Sequence, residues 1–127
     1  MNKLALTFLG AALMSFTGCG PDAETRNWAS HITGGGDPER GRHALTKYGC
    51  IGCHTVDGIR ESKALVGPPL TRMAGRVYLA GMLENTPVNM VRWIQKPREV
   101  NPKTAMPNTG VSDSDARDIA SYLYLYK

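Results

Sequence analysis

Hydrophobic positions are spread unevenly along this chain. Leu4 to Phe16 is an uncharged apolar run preceded by Lys3. Crossing a bilayer takes about 20 consecutive apolar residues, so this run is too short and reads as the core of a signal peptide over residues 1–18. From Gly20 to Gly36 the apolar periodicity disappears, and Pro21, Ser30 and Gly34-Gly35-Gly36 punctuate the segment. Residues 19–36 therefore read as a flexible tether with a root-mean-square span of roughly 20–25 Å. Trp28 and His31 are taken as solvated linker residues within it.

Helical patterning starts at Asp37, so the folded domain is placed at residues 37–127. Asp37-Pro38-Glu39 supplies an N-cap, a proline at the first helical position and an acid in the first turn. This helix should run to about Tyr48, with Ala44, Leu45 and Tyr48 on one face. Gly41 costs helix propensity and calls for a close helix contact. Pro68-Pro69 break the chain into an extended loop. Thr86-Pro87 opens a second helix with Met90, Trp93 and Ile94 at i, i+3 and i+4, and Pro97 ends it. A loop from Pro102 to Pro107 follows. The last helix begins at Ser112, with Asp115 three residues on as an approximate capping box and Ala116, Ile119, Ala120 and Leu123 as its apolar stripe. Tyr122 flanks that stripe. Strand-length alternation is missing, so the fold class is all-α with long irregular connections.

Composition narrows the picture only slightly. A chain of 127 residues allows one compact domain, and 42% hydrophobic content is ordinary. So small a domain buries a limited share of its surface, and a large central cofactor would supply much of its core. The formal net charge of +4 includes Lys3 of the leader, and the Lys and Arg residues are not clustered with aromatics, which argues against nucleic acid as a partner.

Cysteine usage changes the picture most. The three cysteines are Cys19, Cys50 and Cys53, an odd count for an exported protein. Two of them lie in Cys50-Ile51-Gly52-Cys53-His54, a CxxCH haem-attachment motif. Two thiols one turn apart can add to the two vinyl groups on one side of a porphyrin, and the adjacent imidazole then meets the iron. A zinc site needs four ligands in tetrahedral array, and the other candidates, Cys19, His31 and His43, lie largely in leader or tether. A thioredoxin-like dithiol needs a βαβ context, which is absent. The cofactor expected is one covalently bound haem c (heme c).

From these residues the chain resembles class I cytochromes c over roughly Asp37 to Tyr126. That family has CxxCH after an N-terminal helix, a Gly-Pro-x-Leu loop, a distal methionine ligand and a C-terminal helix crossing the first. The loop here is Gly67-Pro68-Pro69-Leu70. The resemblance implies that the Pro68 carbonyl accepts the Nδ1 proton of His54, and that Gly41 sits at the helix crossing near Tyr122. It implies a His54/Met106 iron site, because Lys103-Thr104-Ala105-Met106-Pro107 resembles the family's ligand segment, with Thr104 placed to bond a propionate. Met90 fits a helical stripe, and Met73 and Met82 have no supporting context. Trp93 is a candidate propionate donor or a core residue, and Tyr78 has a weaker claim.

The leader's end, Phe16-Thr17-Gly18-Cys19, resembles the lipobox of bacterial lipoproteins, which implies lipidation of Cys19 and a membrane anchor. Gly20 rather than Asp follows, which favours the outer membrane in a two-membrane bacterium. The series Asn85-Thr86-Pro87, Trp93-Ile94, Pro97 and Met106-Pro107 resembles the cytochrome c domain of caa-type oxidase subunit II. Together these imply a periplasmic one-electron carrier in a respiratory chain, not an enzyme, passing electrons toward a cytochrome oxidase or another membrane oxidoreductase. The alternatives are a fixed haem subunit of a membrane complex, and a haem enzyme or gas sensor with a labile Met106. Lys47, Arg60, Lys63, Arg72 and Arg76 could ring the haem edge and steer an acidic partner, or form a merely solvated surface.

Overall fold

The computed structural model describes residues 20–127, so the segment expected to be a signal peptide and Cys19 lie outside the described residues. Among the described residues five helices run in order: α1 (Ala23–Ile32), α2 (Pro38–Lys47), α3 (Pro87–Gln95), the single turn α4 (Pro97–Val100) and α5 (Asp113–Leu123). Short 3₁₀ turns occupy Cys50–Gly52 and Met73–Gly75.

The predicted helix starts are present, each with its capping hydrogen bond. The Asp37 carboxylate accepts from the Arg40 amide at 2.9 Å, Thr86 from Asn89 at 3.2 Å and Ser112 from Asp115 at 3.1 Å. Pro97 does two things: α3 stops at Gln95, and Pro97 itself opens α4.

The core is organised by the crossing of α2 and α5. Their buried faces carry Ala44 and Leu45 from one side and Ala116, Ile119, Ala120 and Leu123 from the other. Gly41 lets the backbones touch: a Cβ there would lie 2.0 Å from the Asp118 carbonyl oxygen and 3.0 Å from the Tyr122 Cβ. Beside this contact the buried Asp118 carboxylate takes a two-pronged bond from Arg40, Nε to Oδ2 at 2.8 Å and Nη2 to Oδ1 at 2.9 Å. It also accepts from the Asp37 amide at 2.7 Å, which ties the start of α2 to α5. That hydrogen bond to Asp118 raises the pKa of the Arg40 guanidinium above its ordinary value.

Two features depart from the expectations. First, residues 23–32, taken as part of a flexible tether, form helix α1 packed on the domain. Asp22 caps it by accepting from the Thr25 amide at 2.8 Å. Ala29 is fully buried, and Trp28 meets the Tyr124 ring edge-on at 6.3 Å instead of standing free in solvent. The apolar face is short and built on an alanine, so it leaves little periodic signal. The three glycines are not a plain linker either. Gly34 and Gly35 take left-handed backbone (φ +71° and +87°), and a Cβ on Gly36 would lie 2.3 Å from the Arg117 carbonyl oxygen.

Second, a two-residue antiparallel hairpin pairs Tyr78–Leu79 (β1) with Leu83–Glu84 (β2), in register Tyr78 to Glu84 and Leu79 to Leu83. Ala80 and Gly81 both have positive φ (50° and 73°), the backbone of a primed turn that suits tight hairpins. Two-residue strands are too short for alternation to reveal.

Candidate haem site

The α2 helix ends at Lys47, and Gly49 (φ +74°) turns the chain out of it. The turn that follows is held by bonds to the Cys50 carbonyl from the Cys53 amide (3.2 Å) and the His54 amide (3.0 Å). Cys50, Cys53 and His54 thereby reach one wall of a cavity of about 390 Å³. That size falls in the range of cofactor pockets. Its floor is apolar, with Leu45, Leu79, Ile94, Ile119 and Leu123 contributed by α2, β1, α3 and α5.

His54 is oriented from behind. Its Nδ1 is 2.7 Å from the Pro68 carbonyl oxygen, which can only accept, so Nδ1 carries the proton and the Nε2 lone pair is left for a metal. Gly67 makes that approach possible, since a Cβ there would lie 2.4 Å from His54 Cε1. The loop carrying Pro68 is pinned on both sides. The Gly67 amide donates to the Cys53 carbonyl and the Leu70 amide to the Thr55 carbonyl, both at 2.7 Å. Arg76 Nη2 donates to the Pro69 and Thr71 carbonyls at 2.7 and 2.9 Å.

The irregular segment 101–109 also lines the cavity and brings Thr104, Met106 and Pro107 to its wall. The Thr104 hydroxyl accepts from the Met106 amide at 3.2 Å, leaving its own proton free to donate. Trp93 and Tyr78 also line the cavity. The methionines separate by exposure. Met82 is absent from the cavity wall, while Met73 and Met90 line it with side chains almost wholly absorbed in core packing (5% and 2% exposed). Met106 lines it from a loop and keeps accessible surface.

These residues fit a covalent haem and not a structural metal ion. Cys50 and Cys53 are free thiols, and burial pushes the Cys50 thiol above its ordinary value. Among the described residues no three His, Cys, Asp or Glu side chains converge as a metal cluster. What remains is an apolar slot lined by two thiols, an imidazole and a thioether.

Sequence reasoning missed two residues of the surroundings. Arg76, read as a docking cation, turns inward to brace the Pro68 loop and lines the cavity. Asn85 ties the cavity's Met73–Arg76 wall to α5's end: its Nδ2 donates to the Met73 and Arg76 carbonyls (2.8 and 2.7 Å) while its Oδ1 accepts from Tyr124. Asn85 stood in the sequence directly before the Thr86 cap, which masked it as a helix-start residue. Of the other docking cations, Lys47 is paired with Asp115 at 2.9 Å, whereas Arg60, Lys63 and Arg72 are exposed. Two exposed apolar side chains, Leu65 (85%) and Val66 (83%), stand beside His54's loop.

Comparison with known proteins agrees with this geometry. The cytochrome c family model matches residues 38–124. The chain is 33% identical over 85 residues to the cytochrome c oxidase subunit 2 of Alkalihalophilus pseudofirmus, covering 66% of this chain and 24% of that protein. It is 32% identical over 68 residues to the protein of the same name from Bacillus sp. strain PS3 (52% of this chain, 19% of that one). With the Bacillus subtilis subunit 2 the identity is 28% over 89 residues, covering 68% and 25%. The matched region thus spans about a quarter or less of each relative's length. With the family model spanning α2 through α5 and the haem motif, histidine brace and cavity in place, the chain belongs to the cytochrome c family: an electron-transfer protein that binds one covalently attached haem c.

Proposed function

We propose that this chain is a one-electron carrier of a bacterial respiratory chain, working on the periplasmic side of a membrane and passing electrons toward a terminal oxidase. The observation that carries the reading is the placement of His54 and Met106 on walls of the same apolar cavity. Bound haem supplies a one-electron Fe(III)/Fe(II) couple. Cys50 and Cys53 would hold it by thioether bonds and His54 would offer Nε2 to the iron, with the Pro68 carbonyl holding that tautomer. Met106 would supply the second protein ligand; of the methionines on the cavity wall it is the one that packing has not already consumed. A thioether paired with an imidazole would raise the reduction potential above that of a bis-imidazole site. Held there, it would also keep oxygen and peroxide off the iron, which favours transfer over catalysis. Thr104 and Trp93 are donors toward the propionates.

Electrons would pass at the exposed edge near Cys53, flanked by Leu65 and Val66, with Arg60 and Lys63 as the cations free to steer an acidic partner. Cys19 is assigned as the lipid attachment site, with residues 1–18 as the signal peptide. The direction of transfer rests on the similarity to oxidase subunits. That similarity also supports a second reading, a fixed haem subunit of an oxidase complex.

The test is stopped-flow oxidation of the reduced protein by oxidase-containing membranes. A carrier is oxidised rapidly when added in excess, with a rate that falls as salt rises. Turnover limited to one protein per oxidase, with stoichiometric co-purification, would favour the fixed subunit. Tight carbon monoxide binding by the native reduced protein would contradict the closed site.

A further inference from the structure

Helix α1 lies ahead of the stretch matched by the family model, and it is held along its whole length. Arg26 forms an ion pair with Glu39 of α2, and its Nε donates to the Pro21 carbonyl at 3.2 Å. Lys127 places its ammonium 5.3 Å above the Trp28 ring, while that ring packs on Tyr124. Gly36 closes the far end against α5's backbone. Pro21 and Asp22 are therefore as fixed as the helix, and two residue steps back from Pro21 to Cys19 span at most about 7 Å. Gly20 and Pro21 lie in a shallow surface depression with Asp57, Arg72, Tyr126 and Lys127.

We propose that this face, formed by Pro21, Arg72, Tyr126 and Lys127, rests on the headgroups of the phospholipid bilayer that holds Cys19, with α1 as a rigid spacer. The inference rests on the lipid-anchor reading of Cys19. Its occupant follows from where the described chain stops: an acyl anchor attached within about 7 Å of Pro21 must bring the bilayer surface against this patch. The patch suits such a surface. Trp28 (41% exposed) and the two cations can meet the phosphate and carbonyl layer, and Asp22, Glu24 and Asp57 keep the charge balanced, so the lipid and not net charge supplies the affinity. The consequence is a haem domain with a fixed orientation to the membrane plane, not one roaming on a mobile tether.

Two measurements on the mature haem-loaded chain test this. The mass of the N-terminal peptide reports lipid on Cys19. Amide hydrogen exchange on vesicles of phosphatidylethanolamine and phosphatidylglycerol is then compared with that of the Cys19→Ser chain, mixed with the same vesicles. Peptides covering 69–76 and 124–127 should exchange several-fold more slowly in the lipidated protein, with 60–66 unchanged. An Ala29→Asp variant, which undocks α1, should lose that protection while keeping the haem spectrum. A lipidated protein with no protection, or with protection elsewhere, overturns the proposed face and leaves the anchor standing. An N-terminal peptide without lipid overturns the anchor reading itself, and the bilayer face with it.

Discussion

The Tyr124 hydroxyl donates to the Asn85 side-chain oxygen at 2.7 Å, joining the C-terminal end of α5 to the loop that walls the haem cavity. Tyr124→Phe leaves that oxygen without a donor, which should lower stability by about 1–3 kcal/mol in urea titrations. Burial also pushes the Tyr124 phenol up to about 12. Between the ordinary value of 10.0 and that raised value, the unfolded chain ionises while the folded one stays protonated. Stability should therefore fall as pH rises through this window, and the fall should be shallower in Tyr124→Phe.

Two glycines should each resist an added methyl group, with different readouts. Gly41→Ala ordinarily gains helix propensity, but its methyl would sit 2.0 Å from the Asp118 carbonyl oxygen, a backbone atom that cannot step aside. The expected cost is about 1–3 kcal/mol, seen as a lower unfolding midpoint with the haem spectrum intact. Gly67→Ala pushes instead on the His54 ring, so it should disturb the low-spin haem spectrum more than the midpoint.

Asp115 should control part of the acid limb. Hydrogen bonds from Lys47 and then Tyr48 hold its carboxyl below the ordinary 3.8. The resulting stability is present above that value and is lost as pH falls through the depressed one. Asp115→Asn should be less stable near neutrality and flatter with pH in the acid range, measured by urea midpoints from about pH 5 down to about pH 2.

Most of the fold was legible because its helices announce themselves chemically. Asp37-Pro38, Thr86-Pro87 and Ser112 are caps whose side chains have nothing better to do than bond the first turn. Gly41 was legible because it carries a helix-propensity cost that only a close partner explains; the haem motif was legible from its CxxCH spacing, and the Pro68 carbonyl only through the resemblance to class I cytochromes c. Helix α1 was not, because an apolar face resting on Ala29 and Trp28 is too sparse for periodicity, and a glycine run looks the same whether it packs tightly or floats. Arg76 and Asn85 were missed because their partners are backbone carbonyls distant in sequence, which no local pattern encodes.

Ser121 offers a prediction of the opposite sign. Its hydroxyl is fully buried on α5 and has no hydrogen-bond partner among the described residues. Ser121→Ala removes the unsatisfied group and improves helix propensity, so stability should rise, by about 1 kcal/mol, with no change in reduction potential. A loss of stability would mean that the hydroxyl is satisfied in the haem-loaded protein.

The iron site is tested most directly by the absorption spectrum of the oxidised protein beside that of Met106→Ala. The native protein should show the weak red charge-transfer band of thioether ligation. The variant should lose it while keeping the covalent haem on Cys50 and Cys53 and the His54 ligand. A band that persists in Met106→Ala would contradict the assignment and move the ligand to Met73 or Met90, the other methionines on the cavity wall.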